Sequence, residues 1–183
     1  PRLSTSDIDQ TPQINREVEA LAKIRLEILG GREHAVATPM DQQQTLTHYL
    51  MGEPSDWRTD VPNFKRVRYS EVLPGIDVEY YGRDGRLEYD FVVHPGADPK
   101  AISLKFEGSK GLSINTDGDL VIDLGSQQII QYAPVSYQTG SDGQRVHIAS
   151  AYTVMDDSVG FQVAAWDSSK ALVIDPVLEY SRY

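Results

Sequence analysis

With 183 residues the chain is long enough for one domain with a real core, and 40% hydrophobic with 24% charged residues excludes a disordered polymer. A net charge of −10 leaves no basic face for nucleic-acid phosphates or anionic lipid, so neither is expected as a partner. The absence of cysteine excludes thiol catalysis, cysteine-ligated zinc and disulfides, and no apolar run reaches the roughly 18 residues of a membrane helix.

Residues 1–13 are polar with two prolines and almost no apolar groups, which reads as a linker or frayed terminus. Residues 1–20 are assigned to that linker, and 21–183 to a single β-rich domain. The stretch Ile14 to Leu29 carries two signals. Its Glu, Ala, Leu and Lys content favours a helix that Asn15 can cap, yet Ile24, Leu26 and Ile28 alternate with Lys23, Arg25 and Glu27 at strand period. Both readings stay open from composition alone.

From Phe64 onward the period of two dominates. Val67 and Tyr69 alternate with Arg66 and Arg68. Ile76, Val78 and Tyr80 alternate with Asp77, Glu79 and Tyr81, and Leu87, Tyr89, Phe91 and Val93 with Glu88, Asp90 and Val92. Such a pattern marks antiparallel strands with one buried and one wet face.

Turn chemistry then sets the registers. A two-residue Asp84-Gly85 turn places Tyr80 opposite Tyr89 and Val78 opposite Phe91. At Asp117-Gly118 a two-residue turn sets Leu112 against Asp123. A three-residue Thr116-Asp117-Gly118 loop restores apolar pairing, with Gly118 left-handed. A four-residue loop from Gly140 to Gly143 aligns Tyr137 with Val146 and Val135 with Ile148. A turn at Asp156-Asp157 sets Val154 against Val159 and Tyr152 against Phe161. The expected fold is all-β, an antiparallel β-sandwich or two stacked sheets built of consecutive hairpins, without a long helix between about Phe64 and Val177.

The signals for chemistry are sparse. His34, His48, His94 and His147 lie too far apart in sequence for a paired-ligand motif, so no metal site is expected. Asp117-Gly118-Asp119 is too short for a calcium loop, because Leu120, Val121 and Ile122 follow at once. No nucleophile elbow, dinucleotide fingerprint or phosphate loop occurs, so no catalytic or cofactor-binding residue is assigned. Tyr80, Tyr89, Tyr137 and Tyr152 fall on inward faces, which leaves Trp57, Tyr81, Tyr132 and Trp166 as candidates for stacking on a glycan. The carboxyl pairs Glu79 with Asp90 and Glu88 with Asp77 are candidates for a glycosidase pair, but they lie on an open strand face and nothing in the sequence marks a cleft.

Across the Asp84-Gly85 hairpin, Glu79 faces Asp90 and Tyr81 faces Glu88. Arg66 and Arg68 precede them on the adjacent strand segment. Like charges directly opposite are destabilising unless a counter-charge lies beside them, so Arg66, Arg68, Glu79 and Asp90 are assigned to a structural charge ladder on a solvated face.

Several short motifs run in collinear order. They are Lys65-Arg66-Val67-Arg68-Tyr69, Leu73-Pro74-Gly75-Ile76-Asp77, Tyr80-Tyr81-Gly82, Leu87-Glu88-Tyr89-Asp90-Phe91-Val92-Val93, Pro95-Gly96-Ala97-Asp98-Pro99, Phe106-Glu107-Gly108, Asp117-Gly118-Asp119-Leu120 and Leu172-Val173-Ile174-Asp175-Pro176-Val177-Leu178. His48-Tyr49-Leu50-Met51-Gly52 and Trp57-Arg58-Thr59-Asp60-Val61-Pro62 precede them. Together they resemble the N-terminal domain that precedes SBBP (β-propeller) repeats in large secreted bacterial proteins, over roughly residues 24–183. The resemblance implies an extracellular or cell-surface setting, a segment of a longer chain, and no catalytic residue. The expected function is a non-catalytic structural or interaction module that contacts other domains of its parent protein or surface proteins. A carbohydrate-binding module is the runner-up and a glycoside hydrolase the weakest reading.

Overall fold

The computed structural model describes residues 24–83, 85–176 and 178–179. The linker expected at residues 1–20 and the first ten residues of the ambiguous stretch lie outside the described residues. The rest of that stretch forms strand β1 (Arg25–Ile28), whose Leu26 and Ile28 lean on the core. Apolar alternation therefore decides this segment over helix propensity, because a sheet face was there to cover it.

In chain order follow β2 (Val36–Tyr49), β3 (Arg58–Leu73), β4 (Ile76–Arg83), β5 (Arg86–Val93), β6 (Ser103–Glu107), β7 (Gly111–Ile114) and β8 (Leu120–Asp123). Then come β9 (Gln128–Gln131), β10 (Val135–Thr139), β11 (Arg145–Ile148), β12 (Ser150–Met155), β13 (Ser158–Val163), β14 (Leu172–Asp175) and β15 (Leu178–Glu179). They form three antiparallel sheets of order β1-β6-β13-β12, β11-β10-β14-β5-β4-β3-β2 and β15-β9-β8-β7. The fold is an all-β sandwich. Hairpins account for most neighbours, but β14 slots between β10 and β5, a placement no turn signal encodes.

One core serves all three sheets. Ile76, Val78, Phe91, Val93, Leu172 and Ile174 come from the seven-stranded sheet, Leu104, Val159 and Phe161 from the second, and Leu120 and Ile122 from the third. Ring contacts run from Tyr69 through Tyr80, Tyr89, Phe91 and Phe161 to Tyr152 at centroid distances of 5.5–6.1 Å, the favoured range for aromatic pairs.

Three of the four hairpin registers stand as expected. Tyr80 faces Tyr89, Leu112 faces Ile122 and Tyr152 faces Phe161. The fourth is corrected by one residue: Tyr137 pairs with His147 and Ser136 with Ile148. Gly140 N–H donates to the Gln144 carbonyl at 2.8 Å, which closes a three-residue Ser141-Asp142-Gly143 loop with Gly143 at φ +78°. A one-residue slip exchanges the faces of one strand. Tyr137, expected in the core, therefore lies on the outer face of the large sheet.

Strands β2 and β3 run well past their neighbours. Pairing between β3 and β4 spans Arg66 to Leu73, whereas β2 and β3 stay paired out to Tyr49 and Arg58. From about Gln42 to Phe64 the ribbon has no third strand among the described residues. It projects as a two-stranded arm.

Candidate functional site

The outer face of the seven-stranded sheet collects charge. Alternation puts Asp77, Glu79 and Tyr81 of β4 and Glu88 and Asp90 of β5 on this face, and β3 adds Arg66 and Arg68. Strands β14 and β10 add Asp175 and Tyr137, and β11 adds Arg145 next to Thr139. The face is not solvated, as sequence periodicity suggested. Asp77, Glu79, Glu88 and Asp90 are only 3–6% exposed, because they sit mid-sheet beneath arginine and tyrosine side chains.

Glu79 is fully engaged. Arg66 Nη1 donates to its Oε2 at 3.2 Å, and Arg68 Nε donates to Oε1 at 2.9 Å. Arg66 Nε also meets Asp41 at 3.2 Å, where Asp41 takes a left-handed φ of 55°. Asp77 is likewise satisfied, by the Glu71 N–H at 2.8 Å and His94 Nε2 at 2.9 Å. These contacts leave neither carboxylate free to act on a substrate. The candidate pairs Glu79 with Asp90 and Glu88 with Asp77 each have one member so occupied.

Asp90 is different. Its Oδ1 accepts from the Tyr81 hydroxyl at 2.8 Å, and among the described residues no arginine hydrogen-bonds it. Burial pushes its pKa up to about 6; Asp175 and Glu79 add to the rise, while the Tyr81 bond and Arg66 oppose it. Burial, with Glu88 nearby, raises Asp175 too, against the pull of Arg83 and Arg145. Two buried carboxylate oxygens, Glu88 Oε2 and Asp175 Oδ1, accept no hydrogen bond among the described residues.

Beside Asp90 and Asp175 opens a polar cavity of about 380 Å³, lined by Lys65, Arg66, Tyr81, Gly82, Arg83, Asp90, Tyr137, Arg145 and Asp175. Its size lies at the lower end of the ~300–1,000 Å³ typical of ligand sites. Arg145 lies over the Tyr137 ring at 4.1 Å and Arg66 over the Tyr81 ring at 5.4 Å. A larger cavity of about 440 Å³, lined by side chains such as Val67, Tyr69, Val72 and Tyr80, is apolar and lies on the inner face.

The chain matches a family model described as a domain of unknown function (DUF7948) over residues 3–177. It belongs to that family. The family description carries no mention of β-propeller repeats or of secretion. No curated protein and no solved structure matches the chain.

The four glycan-stacking candidates of this family member are dispersed. Tyr81 lines the polar cavity, Trp57 is exposed at the end of the arm, and Tyr132 is exposed between β9 and β10. Trp166 does not face out but packs against the core. Among the described residues no ring contact joins any two of them. Arg66, Arg68 and Glu79 come together, whereas Asp90 turns to Tyr81. No three His, Asp or Glu side chains gather as a metal set among the described residues. Sequence reasoning missed Tyr137, Arg145 and Asp175. The one signal for them was the Ser141-Asp142-Gly143 loop, which, counted as three residues, turns Tyr137 outward.

Proposed function

We propose that the domain is a non-catalytic interaction module of a secreted or cell-surface bacterial protein, adjoining a β-propeller repeat region, and that the arm of β2 and β3 is its contact element. The observation that carries this reading is the arm's apolar end. Tyr49, Leu50, Met51 and Trp57 are 45–76% exposed, on a ribbon that lacks a third strand among the described residues. A two-stranded ribbon is marginally stable in water, and clustered exposed apolar side chains mark contact surfaces. Covering these four side chains contributes on the order of 1–2 kcal/mol each, since part of each is already covered. The occupant is a neighbouring domain of the same parent protein.

Hydroxyl-radical footprinting tests this. Tyr49, Met51 and Trp57 are expected to label several-fold less in the full-length parent than in the isolated domain. Equal labelling in both removes the arm as a contact element. The carbohydrate-binding reading is favoured by a separate observation, the polar cavity beside Tyr81. The hydrolase reading is weaker, because Glu79 and Asp77 are held by cations and backbone.

A further inference from the structure

The geometry points to a binding site for an acidic sugar residue, a uronate within a polysaccharide, in the polar cavity on the outer face of the seven-stranded sheet. Three features of the cavity ask for such a ligand.

First, cations at the mouth stand ready for an anion. In a chain of net charge −10, Lys65 and Arg145 carry no ion pair among the described residues. Arg145 is nonetheless held in place, by its seat on the Tyr137 ring. A fixed guanidinium loses little freedom when it binds a planar carboxylate through two parallel N–H donors.

Second, Tyr137 lines the cavity with its ring largely buried, while its hydroxyl stays accessible and makes no hydrogen bond among the described residues. Asp175 Oδ1, on the same lining, is buried without a partner among the described residues. A sugar hydroxyl supplies a partner to each.

Third, the inner wall carries carboxyl groups, Asp90 and Asp175, which accept hydrogen bonds from O–H donors. A simple anion such as acetate offers no donor to that wall and leaves it facing like charge. A uronate offers its carboxylate to Arg145 and Lys65 and its hydroxyls to Tyr137 and the carboxyl wall. One face of the Tyr81 ring is covered by Arg66 and one face of the Tyr137 ring by Arg145, so the proposed recognition rests on polar contacts and not on stacking of the sugar on an aromatic plane.

The site is independent of the arm, and its test is kept separate. Titration of the whole domain with methyl β-D-glucuronide, followed by calorimetry and amide NMR shifts, is expected to show saturable binding with shifts centred on β10, β11 and β14. The neutral methyl β-D-glucoside is expected to bind roughly tenfold or more weakly, since it lacks the charge-assisted pair. Arg145→Gln is expected to weaken the uronide by about the same factor, and Tyr137→Phe by roughly fivefold. Unfolding curves matching the parent domain show that both variants are folded. A Leu50→Ser, Met51→Ser variant of the arm leaves uronide binding unchanged. The proposal is overturned by any of four results: no saturable uronide binding, equal affinity for the neutral glycoside, equal affinity for acetate alone, or unchanged affinity in both cavity variants.

Discussion

Replacing Asp90 with asparagine is expected to stabilise the domain at neutral pH. The residue is 6% exposed, and burial pushes the pKa of its carboxyl to about 6 against about 4 in the unfolded chain. The folded state thus holds this proton more tightly than the unfolded state. Stability from this group is fully present below about pH 4 and falls as pH rises through 6. A gap of about two pH units corresponds to roughly 3 kcal/mol at pH 7.5, an upper bound. Asparagine keeps an oxygen for the Tyr81 hydroxyl, and it removes a charge from beside Asp175 and Glu79. It also forfeits attraction to Arg66, so the net gain is expected at about 1–2 kcal/mol, or roughly 3–6 °C in Tm for a domain of this size. Urea denaturation of both proteins at pH 4.5 and pH 7.5 measures it. The variant gains over the parent at pH 7.5 and not at pH 4.5. The difference between the two proteins isolates Asp90 from Asp175, whose raised pKa acts in the same direction. A variant less stable than the parent at pH 7.5 shows that Asp90 is a well-paired carboxylate, and the reasoning fails.

Glu79→Gln removes the partner of two guanidinium groups. It is expected to cost about 2–3 kcal/mol by urea denaturation, less than a fully buried pair because Arg66 and Arg68 are 43% and 35% exposed; a loss below about 0.5 kcal/mol would falsify the ladder as a stabilising element. Gly75 turns β3 into β4 at φ +71°, and a Cβ there sits 2.8 Å from the Ala97 Cβ. Gly75→Ala is therefore expected to lower stability by about 1–3 kcal/mol, read from the thermal midpoint. Phe91→Ala empties the centre of the aromatic chain and is expected to cost about 3–5 kcal/mol, or to prevent folding at 37 °C. Replacing residues 43–63 with Asn-Gly is expected to leave Tm within about 2 °C, since the arm touches no third strand among the described residues; a larger drop shows that the arm supports the sandwich.

The local grammar was legible in the order of residues alone. Alternation fixed which side of β4 and β5 is apolar, and glycine and aspartate turns fixed three registers, because a strand's faces and a tight turn's geometry depend only on neighbours in the chain. It stayed silent on β2. All but three of that strand's residues are exposed, so no buried face imposes a period on Gln42-Gln43-Gln44-Thr45. The fourth register slipped because a glycine at each end of the Gly140–Gly143 stretch permits two loop lengths. Only the hydrogen bond from Gly140 to Gln144 selects one. The environment of the charges, by contrast, comes from strand order in the assembled sheet. Strand β14 inserts between β5 and β10, which have 41 residues between the end of one and the start of the other, and so brings Asp175 and Tyr137 beside Asp90. Period-two patterning says which residues share a face, and it cannot say what lies over that face. The face that read as wet is therefore a walled, half-dry cavity, since cover comes from strands distant in sequence and burial is a property of the assembled sheet.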